Sequence, residues 1–289
     1  MIIVELFGGL GNQMFQYAFG RHLAAKRGDC LLLDSLILHS KRYSGTPRSF
    51  GLDIFNIRGL RLSTEAIVEK VQNSAVYTIF DIGFQPFHAV TVPPDISNIA
   101  TVGWWQSEKY FQDSSDILRT EFTFKAPPSH TLLRQYVERL QQNESVCVHI
   151  RRTDYLGSVG ERMGFVGLAY YEKAISTISS SVSNPQFFVF SDDIAWCKAN
   201  LHLGVPLTFL ELNMDDAHST FHDFYLMSQC KHYIIANSSF SWWASWLGTF
   251  PRKIVIAPAG WYAGERSMRK DETNVWSSKD LIPRDWIRI

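Results

Sequence analysis

The sequence predicts an α/β protein of two Rossmann-like halves, each a parallel sheet wound with helices, facing each other across a cleft. Three observations predict it. Ile2–Phe7 is a short, apolar, β-branched run that ends in Gly8-Gly9 and passes into a helical pattern, which opens a β-loop-α-β connection. Beyond residue 130, apolar strands alternate with helices at intervals of about 20–25 residues, the rhythm of a doubly wound sheet. Between these regions, Ala126-Pro127-Pro128-Ser129 breaks the pattern, dividing the chain into domains 1–128 and 129–289.

Composition narrows the class. Of 289 residues, 46% are hydrophobic and 14% aromatic, ample for a core and incompatible with global disorder. Lys+Arg and Asp+Glu are both 28, so the formal net charge is +0; a basic nucleic-acid binder is excluded and any anion site must be a local cluster. The four cysteines (Cys30, Cys147, Cys197, Cys230) never stand at CxxC spacing and read as buried thiols in a reducing compartment. Met1-Ile2-Ile3-Val4-Glu5 lacks the basic start of a signal peptide, and no apolar run approaches the roughly 20 residues of a membrane span. The expectation is a cytoplasmic protein.

Element by element, Met14, Phe15, Ala18, Phe19, His22 and Leu23 share one face of the first helix, with Asn12 as its expected N-cap. Cys30–Leu33 is the second strand, closed by Asp34. Ser40–Arg48 turns polar and basic and reads as a mobile surface loop. Residues 50–125 are aromatic-rich, broken by Pro86, Pro93 and Pro94, and give no clear periodicity. In the second half the expected strands are Ser145–Ile150, Gln186–Phe190, Pro206–Leu210, His232–Ala236 and Lys253–Ile256. The expected helices are Thr131–Gln142 and segments around Leu168–Ser180, Ile194–Asn200, His218–Gln229 and Phe240–Leu247.

Four stretches could carry chemistry. Gly8-Gly9-Leu10-Gly11-Asn12-Gln13 joins a strand to a helix, where glycines admit a ligand to the backbone and the helix offers free N–H groups. No Gly-Lys-Ser/Thr follows, so it is not a P-loop, and Met14 stands where a dinucleotide fingerprint has its third glycine. The alternative is a tight structural turn. His149-Ile150-Arg151-Arg152-Thr153-Asp154-Tyr155 ends a buried strand in two arginines, at the sheet edge where open α/β folds bind ligands. A guanidinium fixed there matches phosphate oxygens and could stabilise charge on a departing nucleoside diphosphate; the alternative is a structural Arg–Asp pair. Ser191-Asp192-Asp193 ends another strand and offers carboxylates to a base or ribose, or a helix N-cap from Ser191 or Asp192. Ala236-Asn237-Ser238-Ser239-Phe240 repeats the arrangement, while Trp242, Trp243 and Trp246 behind it have core spacing.

In the first half, Trp104-Trp105-Gln106-Ser107-Glu108 sets aromatics beside amide and charge, a common way to hold sugars; core packing is the alternative, above all for Trp104. His218 and His222, with Asp215, Asp216 and Asp223 nearby, could hold zinc, but the HExxH form is absent. No Asp-x-Asp occurs to hold a divalent ion beside a nucleotide sugar, so arginine is the expected stand-in and no metal is expected. No Gly-x-Ser-x-Gly elbow occurs either.

Taken together, Gly9-Leu10-Gly11-Asn12-Gln13-Met14-Phe15-Gln16-Tyr17, Trp105–Phe111, His149–Tyr155 and Asn237–Trp243 resemble, in order and over nearly the whole chain, the bacterial α-1,2-fucosyltransferases of glycosyltransferase family 11. The resemblance implies a GT-B-like fold and GDP-β-L-fucose as donor. It implies inverting transfer to the 2-hydroxyl of a terminal β-galactoside in surface-polysaccharide or O-antigen synthesis, with no cofactor and no metal. It places the acceptor on the N-terminal domain, near Trp105, Gln106 and Glu108, and the donor on the C-terminal one. Arg151 then contacts the β-phosphate with support from Arg152, and His149 lies near guanine or ribose. Asp192 or Asp193 binds the base, Ser238, Ser239 and Phe240 the base and phosphates, and Asn12 lies close to the donor. In α-1,6 relatives a glutamate after the Arg-Arg-x-Asp element serves as base; Val159 stands at that position here and Glu161 two residues on. Asp154 is the expected base and Glu161 the second choice. The alternatives are another fucosyl linkage, α-1,6-like, or a non-catalytic sugar- or nucleotide-binding protein. A peripheral place at the inner membrane face is the second expectation for location.

Overall fold

A computed structural model describes residues 1–39, 48–62, 76–81, 86–126, 130–157, 160–211, 219–266 and 277–289. It is a mixed α/β structure, as expected, of two compact units: Met1–Ala126 with Ser278–Pro283, and Pro127–Ser277 with Arg284–Ile289. Of the predicted loop Ser40–Arg48, residues 40–47 lie outside the described residues, as does the Pro-Pro pair at 127–128.

The first unit is a parallel sheet in the order β3-β2-β1-β5-β4, formed by β1 (Ile2–Glu5), β2 (Leu31–Asp34), β3 (Leu60–Leu62), β4 (Tyr77–Asp81) and β5 (Ile99–Gly103). β1 pairs in register with β2 (Val4 beside Leu33) and with β5 (Val4 beside Thr101). Chain order therefore reverses between β1 and β5, and their loops diverge there. Helix α1 (Leu10–Arg27) crosses between β1 and β2 and is buried around most of its circumference, Gln13, Gln16 and Tyr17 included. It starts at Gly9, three residues before the expected cap at Asn12, with no side-chain cap; Gly28, at φ 67°, ends it. A short helix, α2 (Ser115–Glu121), follows β5.

The second unit has the order β11-β10-β9-β6-β7-β8, every pair parallel. Its strands are β6 (Glu144–Ile150), β7 (Pro185–Ser191), β8 (Leu207–Phe209), β9 (His232–Ile234), β10 (Val255–Ala257) and β11 (Ile287–Arg288). In chain order this is 6-5-4-1-2-3, the Rossmann sequence of strands, and its switch point falls between β6 and β9. The helices are α3 (Thr131–Gln142), α4 (Leu168–Ser181), α5 (Ile194–Asn200), α6 (Ser219–Ser228), α7 (Ser239–Leu247) and α8 (Ala263–Arg266).

Alternation along β6 fixes what surrounds the site. Val146, Val148 and Ile150 enter a core with Tyr171, Ala174 and Ile175 of α4. Cys147 and His149 therefore turn to the opposite face. Cys147, Cys197 and Cys230 are buried; Cys30, expected inside, is exposed because it precedes β2 in the turn rather than lying within the strand. Among the described residues no helix is long and apolar enough to cross a membrane.

Candidate functional site

In a Rossmann order, ligands bind beyond the carboxyl ends of the strands at the switch point. Here β6 delivers His149, Arg151, Arg152 and Asp154, β9 delivers Asn237, Ser238, Ser239 and Phe240, and the neighbouring β7 delivers Asp192 and Asp193. Thus the sequence-derived donor candidates of the second unit share one end of one sheet.

Arg151 lies at the centre of this group. Its Nε and Nη2 donate to the two carboxylate oxygens of Asp154 at 2.8 and 2.6 Å, and Asp192 Oδ2 stands 3.4 Å from Nε. Burial disfavours the guanidinium charge, but the bonds and charge of Asp154, with Asp192 beside it, hold its pKa above the ordinary value. Asp192 is equally engaged. It accepts the backbone N–H groups of Arg152 (2.9 Å) and Thr153 (3.0 Å) and the Thr153 hydroxyl. Burial alone would raise its pKa; those hydrogen bonds and the Arg151 charge lower it. The carboxylate is thereby a brace for the turn after β6. Asp193 caps α5 by accepting from Trp196 N at 3.1 Å, a role expected of Ser191 or Asp192, and also takes Arg152 Nη1 at 2.6 Å. The Arg152 guanidinium lies 4.5 Å over the Trp196 ring, so both its face and its edge are occupied.

His149 is 4% exposed, its ring centroid 6.0 Å from that of Phe240, and its Nδ1 has no hydrogen-bond partner among the described residues. Burial first, and the Arg151 charge second, press its pKa down to about 3, so the ring is neutral at physiological pH. Nδ1 is thus a neutral, buried ring nitrogen left unsatisfied at the switch point. Ser238 caps α7, its Oγ accepting from Phe240 N at 3.4 Å; Ser239 and Phe240 are partly exposed. Glu161 is exposed, and among the described residues no side chain pairs with it.

In the first unit, the loops at the β1/β5 reversal meet directly: Gln106 Nε2 donates to Asn12 Oδ1 at 2.9 Å. Gly8 makes this possible. Its φ of 76° is left-handed, and a Cβ there would meet Asn12 Nδ2 at 2.7 Å. The two glutamines of the glycine-rich stretch are structural. Gln16 exchanges hydrogen bonds with the Phe7 backbone, and Gln13 binds Gly8 O, Ser49 O and Gly51 N.

One expectation is corrected here. Trp105 is not an exposed aromatic: it is fully buried and stacked on Phe19 at 4.0 Å, so its ring cannot meet a sugar. Trp104 is the partly exposed one, edge-on to Phe7 at 4.9 Å. Strand alternation could not have shown this, because β5 ends at Gly103 and Trp105 sits beyond it at a left-handed φ of 52°. Glu108 is partly exposed at the head of a 3-10 turn capped by Ser107.

Sequence reasoning missed Asn237 and Arg266 as a pair and set Asp223 only in a zinc alternative. Asp223 lies on α6, partly buried, and burial pushes its carboxyl up to about 7. Of the zinc alternative, Asp215, Asp216 and His218 lie outside the described residues, and His222 is buried.

The family model of glycosyl transferase family 11 matches residues 1–278. The Escherichia coli alpha-1,2-colitosyltransferase is 33% identical, the alignment covering 100% of this chain and 99% of that protein. The Escherichia coli O-antigen biosynthesis glycosyltransferase WbnK is 31% identical over 91% of this chain and 96% of its own length. Galactoside alpha-(1,2)-fucosyltransferase 1 of Plecturocebus brunneus is 31% identical over 48% of this chain and 40% of that protein. Among solved structures, the Bradyrhizobium fucosyltransferase NodZ superposes with a TM-score of 0.51 at 15% identity, covering 88% of this chain and 94% of its own. Arabidopsis thaliana FUT1 in complex with GDP gives a TM-score of 0.51 at 12% identity, over 89% of this chain and 70% of its own. At such identities the likeness shows the fold, which is of the GT-B type.

Proposed function

This chain belongs to glycosyltransferase family 11, and from that premise we propose that it transfers L-fucose from GDP-β-L-fucose to the 2-hydroxyl of a terminal β-galactoside, with inversion at the anomeric carbon. The supporting observation is the position of Arg151 beyond β6, at the switch point, beside the unsatisfied Nδ1 of His149.

The acceptor oxygen attacks C1 of fucose from the face opposite the diphosphate. The C1–O bond to the β-phosphate breaks as the new glycosidic bond forms, and the ring oxygen shares the positive charge. Negative charge gathers on the departing GDP, where Arg151 neutralises it; removing one such preorganised contact costs about 10²–10³ in rate. His149 accepts from the base or ribose at Nδ1. Asp192 and Asp193 act chiefly by holding Arg151, Arg152 and the turn between them. Ser238, Ser239 and Phe240 contact the base and phosphates at the start of α7. The acceptor proton goes to a carboxylate. Asp154 has both oxygens on Arg151, which leaves Glu161 the more accessible base. On the N-terminal side, Asn12, Gln106, Glu108 and Trp104 meet the sugars. No metal or other cofactor takes part, the arginine standing where a divalent ion would.

A second donor is favoured by one observation: the full-length relative at 33% identity is named for colitosyl transfer. The test is incubation with GDP-fucose and with GDP-colitose, each against a panel of galactosides, followed by linkage analysis by NMR. A 2-O-fucosyl galactoside is the expected product. Turnover of GDP-colitose alone reassigns the donor, and an α-1,6 product reassigns the linkage.

A further inference from the structure

Two side chains in the second unit converge on the same backbone carbonyls. Asn237 Nδ2 lies 2.8 Å from Met163 O, 3.0 Å from Gly164 O and 2.9 Å from Trp261 O. Arg266 reaches the same three: Nη1 donates to Trp261 O at 2.9 Å, and Nη2 to Met163 O and to Gly164 O at 3.1 Å. Its Nη1 also takes Gly260 O at 3.0 Å. Among the described residues no carboxylate pairs with this guanidinium through a hydrogen bond; its partners are neutral carbonyls. Burial presses its pKa below the ordinary value, and the nearby Tyr155 and Glu265 counter this.

An arginine set on carbonyls tethers backbone, since five donors in a rigid fork fix several acceptors at once. The segments it joins follow β6, β9 and β10, at the same end of the sheet as Arg151. A third strap reinforces them: Ala263 N donates to Arg162 O at 2.8 Å. From Asn237 the linkage continues, for its carbonyl accepts the Tyr155 hydroxyl at 2.7 Å, one residue from Asp154. Gly164 fits this closeness, with φ 61° and room for no side chain: a Cβ there would meet Arg266 Nη2 at 2.8 Å.

We propose that Arg266 is a positioning residue for the transfer reaction, clamping the segment 160–164 onto Asn237 and the 260–266 turn and so placing Glu161 for its role. It rests on the function proposed above for the identity of the reaction and for Glu161 as its base. Arg266 touches no substrate and acts through the backbone it holds. Arg151 has its own anchors in Asp154 and Asp192, so loss of the clamp weakens nucleotide binding less than turnover.

The test compares Arg266→Met and Arg266→Lys with the wild type, reading kcat with GDP-fucose and galactoside, Kd for GDP, and hydrogen exchange. For Arg266→Met, kcat falls about 10–100-fold while the GDP Kd stays within about threefold. Lysine, which keeps the charge and some of the donors, recovers about tenfold of that loss. Peptides spanning 157–167 exchange faster in Arg266→Met, while those of β6 and β7 are unchanged. Three results overturn the proposal: kcat within about threefold of wild type, GDP affinity lost in proportion to kcat, or exchange quickened throughout the sheet. If the Met variant does not fold, Gly164→Ala presses on the same contact from the other side, and the same measurements on it support or overturn the proposal by the same outcomes. If the wild type does not turn over GDP-fucose, the proposed function fails, while hydrogen exchange still tests the clamp.

Discussion

Arg151 and Asp154, three residues apart, meet fork to fork: Nε to Oδ1 at 2.8 Å and Nη2 to Oδ2 at 2.6 Å. Such a pair fixes the plane as well as the position of the guanidinium. It also occupies both oxygens of Asp154. The Asp154 carboxylate keeps lone pairs beside the arginine, but its side chain is partly buried, whereas Glu161 is exposed. The proposed reaction then has Asp154 orient the charge and Glu161 take the proton. Glu161→Gln therefore lowers kcat by about 10²–10³ and leaves GDP affinity unchanged, while Asp154→Asn costs about tenfold. Steady-state kinetics with titration of GDP separates them. A larger loss in Asp154→Asn than in Glu161→Gln would return the base to Asp154.

The bond from Gln106 to Asn12 joins the segment after β5 to the first turn of α1, which diverge from the centre of the first sheet. Each leaves polar atoms of its amide for a ligand, and each orients the other. Gln106→Ala is expected to raise the acceptor KM about 5–20-fold, with the donor KM altered less than twofold. An equal rise in both would detach this pair from the acceptor.

Trp104 and Trp105 differ sharply in burial within one dipeptide. Trp105→Ala empties a fully buried site between Phe19 and Tyr110 and should cost about 3–5 kcal/mol of stability. Trp104→Ala should cost about 1–2 kcal/mol and act mainly on the acceptor KM. Urea unfolding of both variants checks the order, and equal losses of stability would contradict the burial difference.

The second unit was legible because its central strands β6, β9 and β10 are apolar and buried and its helices alternate with strands at regular intervals, so boundaries from α3 to α7 fall within two residues of expectation. The first unit was less so. Between residues 50 and 125 the described chain packs aromatic pairs at the ends of short helical turns and in irregular segments, Phe55 with Phe122 and Phe124 among them, and such contacts have no period. Residues with charged motifs at strand ends could be found; Arg266 could not, since its partners are carbonyls that every residue possesses. Nor could the sequence tell that Asp192 turns inward to brace backbone N–H groups.

The proposed role of Arg151 as stand-in for a divalent ion has a direct consequence. Transfer should persist in EDTA at more than about four-fifths of the untreated rate, with no gain from added Mn²⁺. GDP release in the presence of galactoside measures it. Loss of activity in EDTA, restored by Mn²⁺, would overturn the arginine's role as the sole counter-charge.

Asp223 makes stability depend on pH in the direction opposite to an ion-paired carboxylate. Its pKa is about 7 in the folded protein against 3.8 ordinarily, from burial. Below about pH 4 both folded and unfolded chains carry the proton, and above about pH 7 neither does. Between these limits the unfolded chain has released the proton that the folded one keeps, so stability falls as pH rises through the window. Full conversion of the shift gives about 4 kcal/mol; solvent reaching this partly buried side chain reduces that to about 1–2 kcal/mol. Asp223→Asn removes the titration, and its Tm relative to wild type should rise by about 2–6 °C on going from pH 5 to pH 8. A constant difference in Tm across that range would show that the carboxyl titrates alike in both states.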